Sequence, residues 1–198
     1  MTVVNTVLAV GGAFAVTNID DFIVLTTLFA TSGRGGPARR DIVVGQYVGI
    51  AALLLVSVLA ALALQTVPDR WIGLLGLVPI ALGIRGLLLT AGDDAQRGPA
   101  LAVPVRGVVG VVAVTVANGA DNLSVYTPLL RHDATAPTVA IYVAVFAVLV
   151  AVWCVVASFV AGRQKVVDLV DATGHWFAPT VFILIGLFVV LTSGLLRG

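Results

Sequence analysis

Long apolar stretches separated by short polar links set the pattern of this chain. Six stretches approach or exceed the roughly 20 residues that an α-helix needs to cross the hydrocarbon core of a bilayer. Val3–Thr31 is apolar apart from Asp20 and Asp21, and Ile42–Leu64 carries no charge. Trp71–Ala91 contains only Arg85, near one end, and Val105–Leu130 contains Arg106 at its start and Asp121 inside. Pro137–Gly162 and Trp176–Leu196 are uncharged. The links Ser32–Arg40, Gln65–Arg70, Gly92–Pro104, Arg131–Ala136 and Arg163–His175 hold the Pro, Gly, Asp and Arg that suit turns at an interface. The last is long enough for a short interfacial helix. No basic segment precedes the first stretch, so it reads as a membrane span rather than a cleaved signal peptide. The pattern predicts an all-α integral membrane protein of six transmembrane helices, one membrane domain over 1–198 with no soluble part.

The two acid-bearing spans can be superposed. Val16-Thr17-Asn18-Ile19-Asp20-Asp21 aligns with Val116-Ala117-Asn118-Gly119-Ala120-Asp121 at an offset of one hundred. The same offset matches Thr27 with Thr127, Pro79 with Pro179, Gly86 with Gly186 and Leu87 with Leu187. Leu and Val recur by chance in so apolar a chain, but Asn, Asp and Pro in one register do not. Three spans per half start the second half from the opposite side of the bilayer. The expectation is therefore an inverted repeat, 1–91 and 105–198, joined by a cytoplasmic linker over 92–104, as in many secondary transporters. Helices 1 and 4 should be interrupted at the Asn/Asp motifs, since such folds put their substrate at broken helices near the midplane. Asn18 and Asn118 both fall about 20 Å into their spans.

Composition sharpens this picture. The 198 residues are 60% hydrophobic and 11% charged, with a mean hydropathy of +1.11, where a soluble domain carries about a quarter charged residues. Every acid is Asp. A net charge of +1 with no basic run gives nucleic acid no footing. The single Cys154 excludes an internal disulfide and a multi-thiolate metal site, and reads as small apolar filler. Eight of the eleven Lys and Arg fall on one face: Arg34, Arg39, Arg40, Arg85, Arg97, Arg106, Arg163 and Lys165. Arg70, Arg131 and Arg197 fall on the other. The positive-inside rule makes the richer face cytoplasmic and both termini extracytoplasmic.

Asp20, Asp21 and Asp121 are the acids placed in hydrocarbon. Each costs about 3 kcal/mol there when ionised, even on lenient insertion scales, so the fold needs something to offset them. Asn18 and Asp21 are spaced i, i+3 and can share a helix face, as can Asn118 and Asp121. Two carboxylates and two amide carbonyls about a pseudo-two-fold axis match one divalent cation of hard or borderline character. Asn118-Gly119 favours a helix break that would free backbone carbonyls as further ligands. Asp20, matched by Ala120, either joins the site where the helix unwinds or carries a proton. Crowded carboxylates in oil should hold protons when no metal is present, and arriving metal would displace them. That is a basis for metal/proton antiport. Thr17, Asn122 and Tyr126 flank the motifs and could complete coordination or bond helix to helix. Gln46 could line the site, with Tyr47 beside it, although the surrounding Gly45 and Gly49 most simply pack helices closely. Arg85 should snorkel to the cytoplasmic interface, and His132 and His175 lie in links without ligand spacing.

Thr17-Asn18-Ile19-Asp20-Asp21, Gly45-Gln46-Tyr47 and Ala117-Asn118-Gly119-Ala120-Asp121-Asn122, followed by Val125-Tyr126 and Pro128, resemble the cadmium-resistance transporter family of the lysine-exporter superfamily. The likeness covers essentially the whole chain. It implies a transporter without enzymatic activity or cofactor, exporting Cd²⁺ or related divalent ions across the plasma membrane. It also carries over Asn18, Asp20, Asp21, Asn118, Asp121 and Asn122 as the motif positions. An all-oxygen and amide site does not by itself select cadmium, so the residues read only as a divalent-cation site. Mn²⁺ or Zn²⁺ export, export of a small amino acid, and a passive channel share the fold. An intramembrane aspartyl protease would use a carboxylate dyad, but no Tyr-Asp or Gly-x-Gly-Asp motif is present. Assembly into a homo-oligomer is left open.

Overall fold

The computed structural model describes residues 3–65, 77–90, 105–131 and 134–161, with positions 74, 163, 180, 183–184, 186–187 and 190–191. These residues form seven α-helices and no strand. They are α1 (Val3–Thr17), α2 (Ile19–Thr31), α3 (Arg39–Leu64), α4 (Leu77–Thr90), α5 (Gly107–Asn118), α6 (Ala120–Arg131) and α7 (Ala136–Val160).

α3 and α7, of 26 and 25 residues, are each long and apolar enough to cross a membrane alone. Their sequences offer no internal Pro or charge beyond the first turn. Each starts after an extended residue, Ala38 or Thr135. Pro137 sits in the first turn of α7, where its missing N–H has no helical partner to lose. The two acid-bearing spans are both broken. α1 and α2 meet at a bend of 58°, and α5 and α6 at one of 69°. Counting each bent pair as one span, up to four spans pass by length and composition among the described residues. Of the predicted third span, α4 and Leu74 are described, and its other residues, 71–73, 75–76 and 91, lie outside the described residues. Of the predicted sixth span, Trp176–Leu196, positions 180, 183–184, 186–187 and 190–191 are described and helical, while its other positions, most of Gln65–Arg70, the 92–104 linker and His175 lie outside the described residues.

Packing follows from small residues. α3 lies along α5 and α6, while α7 lies along α1 and α2, and α3 touches α7 between them. A Cβ added at Gly45 would sit 2.5 Å from Val111 Cβ, and one at Gly49 would sit 2.7 Å from Thr115 Cβ. The glycine pair therefore sets the approach of α3 to α5, as small residues do where lipid leaves no hydrophobic force between helices. Gly33 and Gly35 turn the chain between α2 and α3 at φ +82° and +97°, a backbone that side chains rarely adopt. Large apolar side chains line the outer surface: Leu8, Leu88 and Phe159 are each 69% exposed and Val109 81%. Water would not tolerate so continuous an apolar exterior. At the centre Phe146 stacks at 5.0 Å on Phe14, 4.8 Å on Tyr126 and 5.8 Å on Tyr142, tying α7 to α1 and α6.

Candidate functional site

Asn18 sits at the first break with φ −107° and ψ 19°, outside helical geometry, and its side chain is fully buried. The second break falls at Gly119, with φ −83° and ψ 12°. Both lie beside the Asn/Asp motifs, as the sequence predicts. The expected supply of free carbonyls there is reduced. The Asn18 carbonyl accepts from Phe22 N at 3.0 Å and from Trp153 Nε1 at 2.9 Å, and the Gly119 carbonyl accepts from Leu123 N at 3.1 Å. Asp20 and Asp21 open α2 and Asp121 opens α6, where the positive ends of the helix dipoles favour carboxylates.

A buried polar network joins the two broken spans. Asn18 Nδ2 lies 2.8 Å from Phe14 O and 2.8 Å from Tyr126 Oη, with Thr17 Oγ1 at 3.1 Å and Asn122 Oδ1 at 3.4 Å. An amide has two hydrogens, so the two closest contacts take them. Thr17 Oγ1 donates to Ala13 O at 3.0 Å, which leaves the 2.9 Å contact with Tyr126 Oη to be donated by the tyrosine. Each hydroxyl is thus spoken for. A second chain of bonds fixes the first acid: Thr115 Oγ1 donates to Gln46 Oε1 at 2.8 Å, and Gln46 Nε2 donates to Asp21 Oδ2. With its carbonyl held by Thr115, the Gln46 amide can offer Asp21 only N–H.

Among the described residues, three buried side-chain atoms have no hydrogen-bond partner: Asn18 Oδ1, Asp21 Oδ1 and Asn118 Nδ2. Two are acceptors on residues spaced i, i+3 across the first break. Buried acceptors are ordinarily satisfied, and a cation would satisfy both. Asn118 is half-buried at the end of α5. A half-turn of its amide would present a carbonyl oxygen in place of the N–H₂. Asp121 is half-buried and its Oδ1 accepts from Asn122 N at 2.8 Å.

The remaining candidates are placed as follows. Asp20 is exposed, and among the described residues no three of His, Cys, Asp and Glu form a group able to hold a metal. The three acids are therefore not one ligand cluster. Any cation site here draws on amides as well. Asn122 and Tyr126 are buried in the network. Tyr47 instead donates to Ala147 O at 2.8 Å, in an apolar groove between α3 and α7. Cys154 is buried in the apolar core. Thr115 and Trp153 escape the sequence reading. A lone hydroxyl in the uncharged stretch Gly107–Asn118, and a Trp inside a span rather than at its edge, were the signals available.

A family model described as "Cad: Cadmium resistance transporter" matches residues 14–197. No curated protein and no solved structure matches the chain.

Proposed function

The chain belongs to the cadmium resistance transporter family, and on that premise we propose that it exports divalent metal ions, Cd²⁺ foremost, from the cytoplasm across the plasma membrane in exchange for protons. The family is one of transporters, not enzymes, which leaves the aspartyl protease reading without support. One observation carries the site: Asn18 Oδ1 and Asp21 Oδ1 are buried acceptors with no donor, three residues apart at the break of one span. In our reading they take the metal together with Asp121 and Asn118, while Asn122 and Tyr126 hold the network in place. Gln46 occupies one oxygen of Asp21 and leaves the other for the cargo. Asp20, exposed beside them, serves as entry point or proton carrier.

Charge balance supplies the coupling. Two carboxylates neutralise one divalent ion, and two protons neutralise the same pair once the ion has left. A neutral site crosses between orientations without the several kcal/mol that a net charge in hydrocarbon costs. The six-span inverted repeat with both termini outside belongs to the same proposal. Its supports are the paired breaks at Asn18 and Gly119 and the contact of Tyr47 with Ala147, one hundred positions on. The metal is cargo, and no cofactor enters the cycle.

Proteoliposomes loaded with Cd²⁺, Zn²⁺, Mn²⁺ or lysine, with and without a pH gradient, test this. We expect Cd²⁺ flux that accelerates with an opposing proton gradient, and loss of at least nine-tenths of it in Asp21→Asn and in Asp121→Asn. Normal Cd²⁺ flux in both variants removes the site. Lysine flux in place of metal moves the chain to the amino-acid exporters.

A further inference from the structure

Trp153 lies in the C-terminal half of α7, about two turns before its end, and its indole makes contacts that packing alone does not require. Its ring meets Phe14 of α1 edge-on at 5.7 Å and 78°, and Phe22 of α2 at 5.9 Å and 74°. Between those two rings its Nε1 donates to the carbonyl of Asn18 at 2.9 Å. One side chain thus grips the helix before the bend, the helix after it and the residue at the bend itself. At the second break the cover is weaker. Leu53, one hundred positions before Trp153, lies against Gly119, where a Cβ would come within 2.3 Å of it, and it has no donor to offer.

We infer that Trp153 is a positioning residue that splints the first broken span at its 58° bend and so fixes the direction in which Asn18 and Asp21 face the cargo. The physical reason is where the second bond comes from. The Asn18 carbonyl already accepts from Phe22 N at 3.0 Å within its own span, and its remaining lone pair takes the indole N–H. That bond ties the residue at the bend to α7, a neighbouring span, at the worth of one net hydrogen bond. The two aromatic contacts resist rotation of either half-helix, each adding about 0.5–1.5 kcal/mol in favourable geometry. The assignment to cargo binding rests on the metal reading above, while the splint itself does not.

Two measurements test it, both on the full chain. In a Cys154→Ala background, spin labels replace Val4 and Ala30, exposed positions on α1 and α2. Straightening a span of this length from 58° lengthens that distance by about 5 Å. We expect one narrow distance with Trp153, and a longer or broader distribution in Trp153→Phe, which keeps a ring but loses the donor. Trp153→Leu should broaden it further. In parallel, Cd²⁺ should bind Trp153→Phe about 3- to 10-fold more weakly, the worth of one net hydrogen bond. With Trp71 and Trp176 both replaced by Phe, the emission of Trp153 should change saturably with Cd²⁺, and not in Asp21→Asn. Unchanged distances and unchanged affinity in Trp153→Phe overturn the inference. So does a relaxed bend with unchanged affinity, since the residue would then position nothing for the cargo. A wild-type chain that binds no Cd²⁺, yet loses its bend in Trp153→Phe, sinks the metal reading and leaves the splint standing.

Discussion

Gln46 is the side chain through which the buried acid and the rest of the core communicate. Removing it in Gln46→Leu leaves Asp21 without its donor in an apolar interior, a loss of about 1–3 kcal/mol for a hydrogen bond to such a group. Thermal unfolding in detergent should report a drop of several degrees. Thr115→Val is subtler. It frees the Gln46 carbonyl, so the amide can turn and present oxygen to oxygen, and we expect about 1 kcal/mol. A melting point for Thr115→Val equal to that of the wild type would show that the relay is idle. Cd²⁺ should itself stabilise the wild type, by about 2.7 kcal/mol at one hundred times its dissociation constant, and should add nothing in Asp21→Asn. Competition with protons makes that gain shrink as pH falls. At this scale the sequence announces its polar outliers well. Asn18, Asp21, Gln46, Asn122 and Tyr126 stand out because hydrocarbon penalises them, and all five are buried here. What it withholds is who meets whom. The Thr115–Gln46 and Trp153–Asn18 contacts depend on how three helices rotate about their axes, and no periodicity within one helix records that.

Among the elements, α3 is the one whose position everything else reads. Gly45 and Gly49 let it approach α5 until backbone and side chain nearly touch, and that approach brings Gln46 within reach of Thr115 on one side and Asp21 on the other. Gly49→Ala should push α3 and α5 apart at a cost of about 1–3 kcal/mol, typical of overpacking, and disturb the relay with it. Gly11→Ala is the contrast. Nothing lies within 4 Å of its added methyl group, so the better helix former should leave stability unchanged or raise it by up to about 1 kcal/mol. Melting curves of the two variants separate a packing glycine from a permissive one. The helix breaks were legible for a reason of the same kind: Asn and Gly tolerate non-helical backbone, and buried acids need a site.

For the whole molecule, the distribution of Lys and Arg predicts an orientation that can be checked directly. In the Cys154→Ala background, Gly33→Cys in the turn between α2 and α3 should react with an impermeant maleimide only from the cytoplasmic side. Ala134→Cys, just before α7, should react only from outside. The reverse labelling would invert the proposed direction of export. A further consequence follows from the two break-point carbonyls, which already accept hydrogen bonds from Phe22, Trp153 and Leu123. Those two oxygens are not free to strip a visiting ion, so the side-chain oxygens of the site must replace much of what its hydration shell surrenders. An ion that sheds water readily can trade a few waters for these oxygens and move on. Mg²⁺, which dehydrates reluctantly and insists on near-octahedral geometry, should be turned away at the threshold despite carrying the same charge.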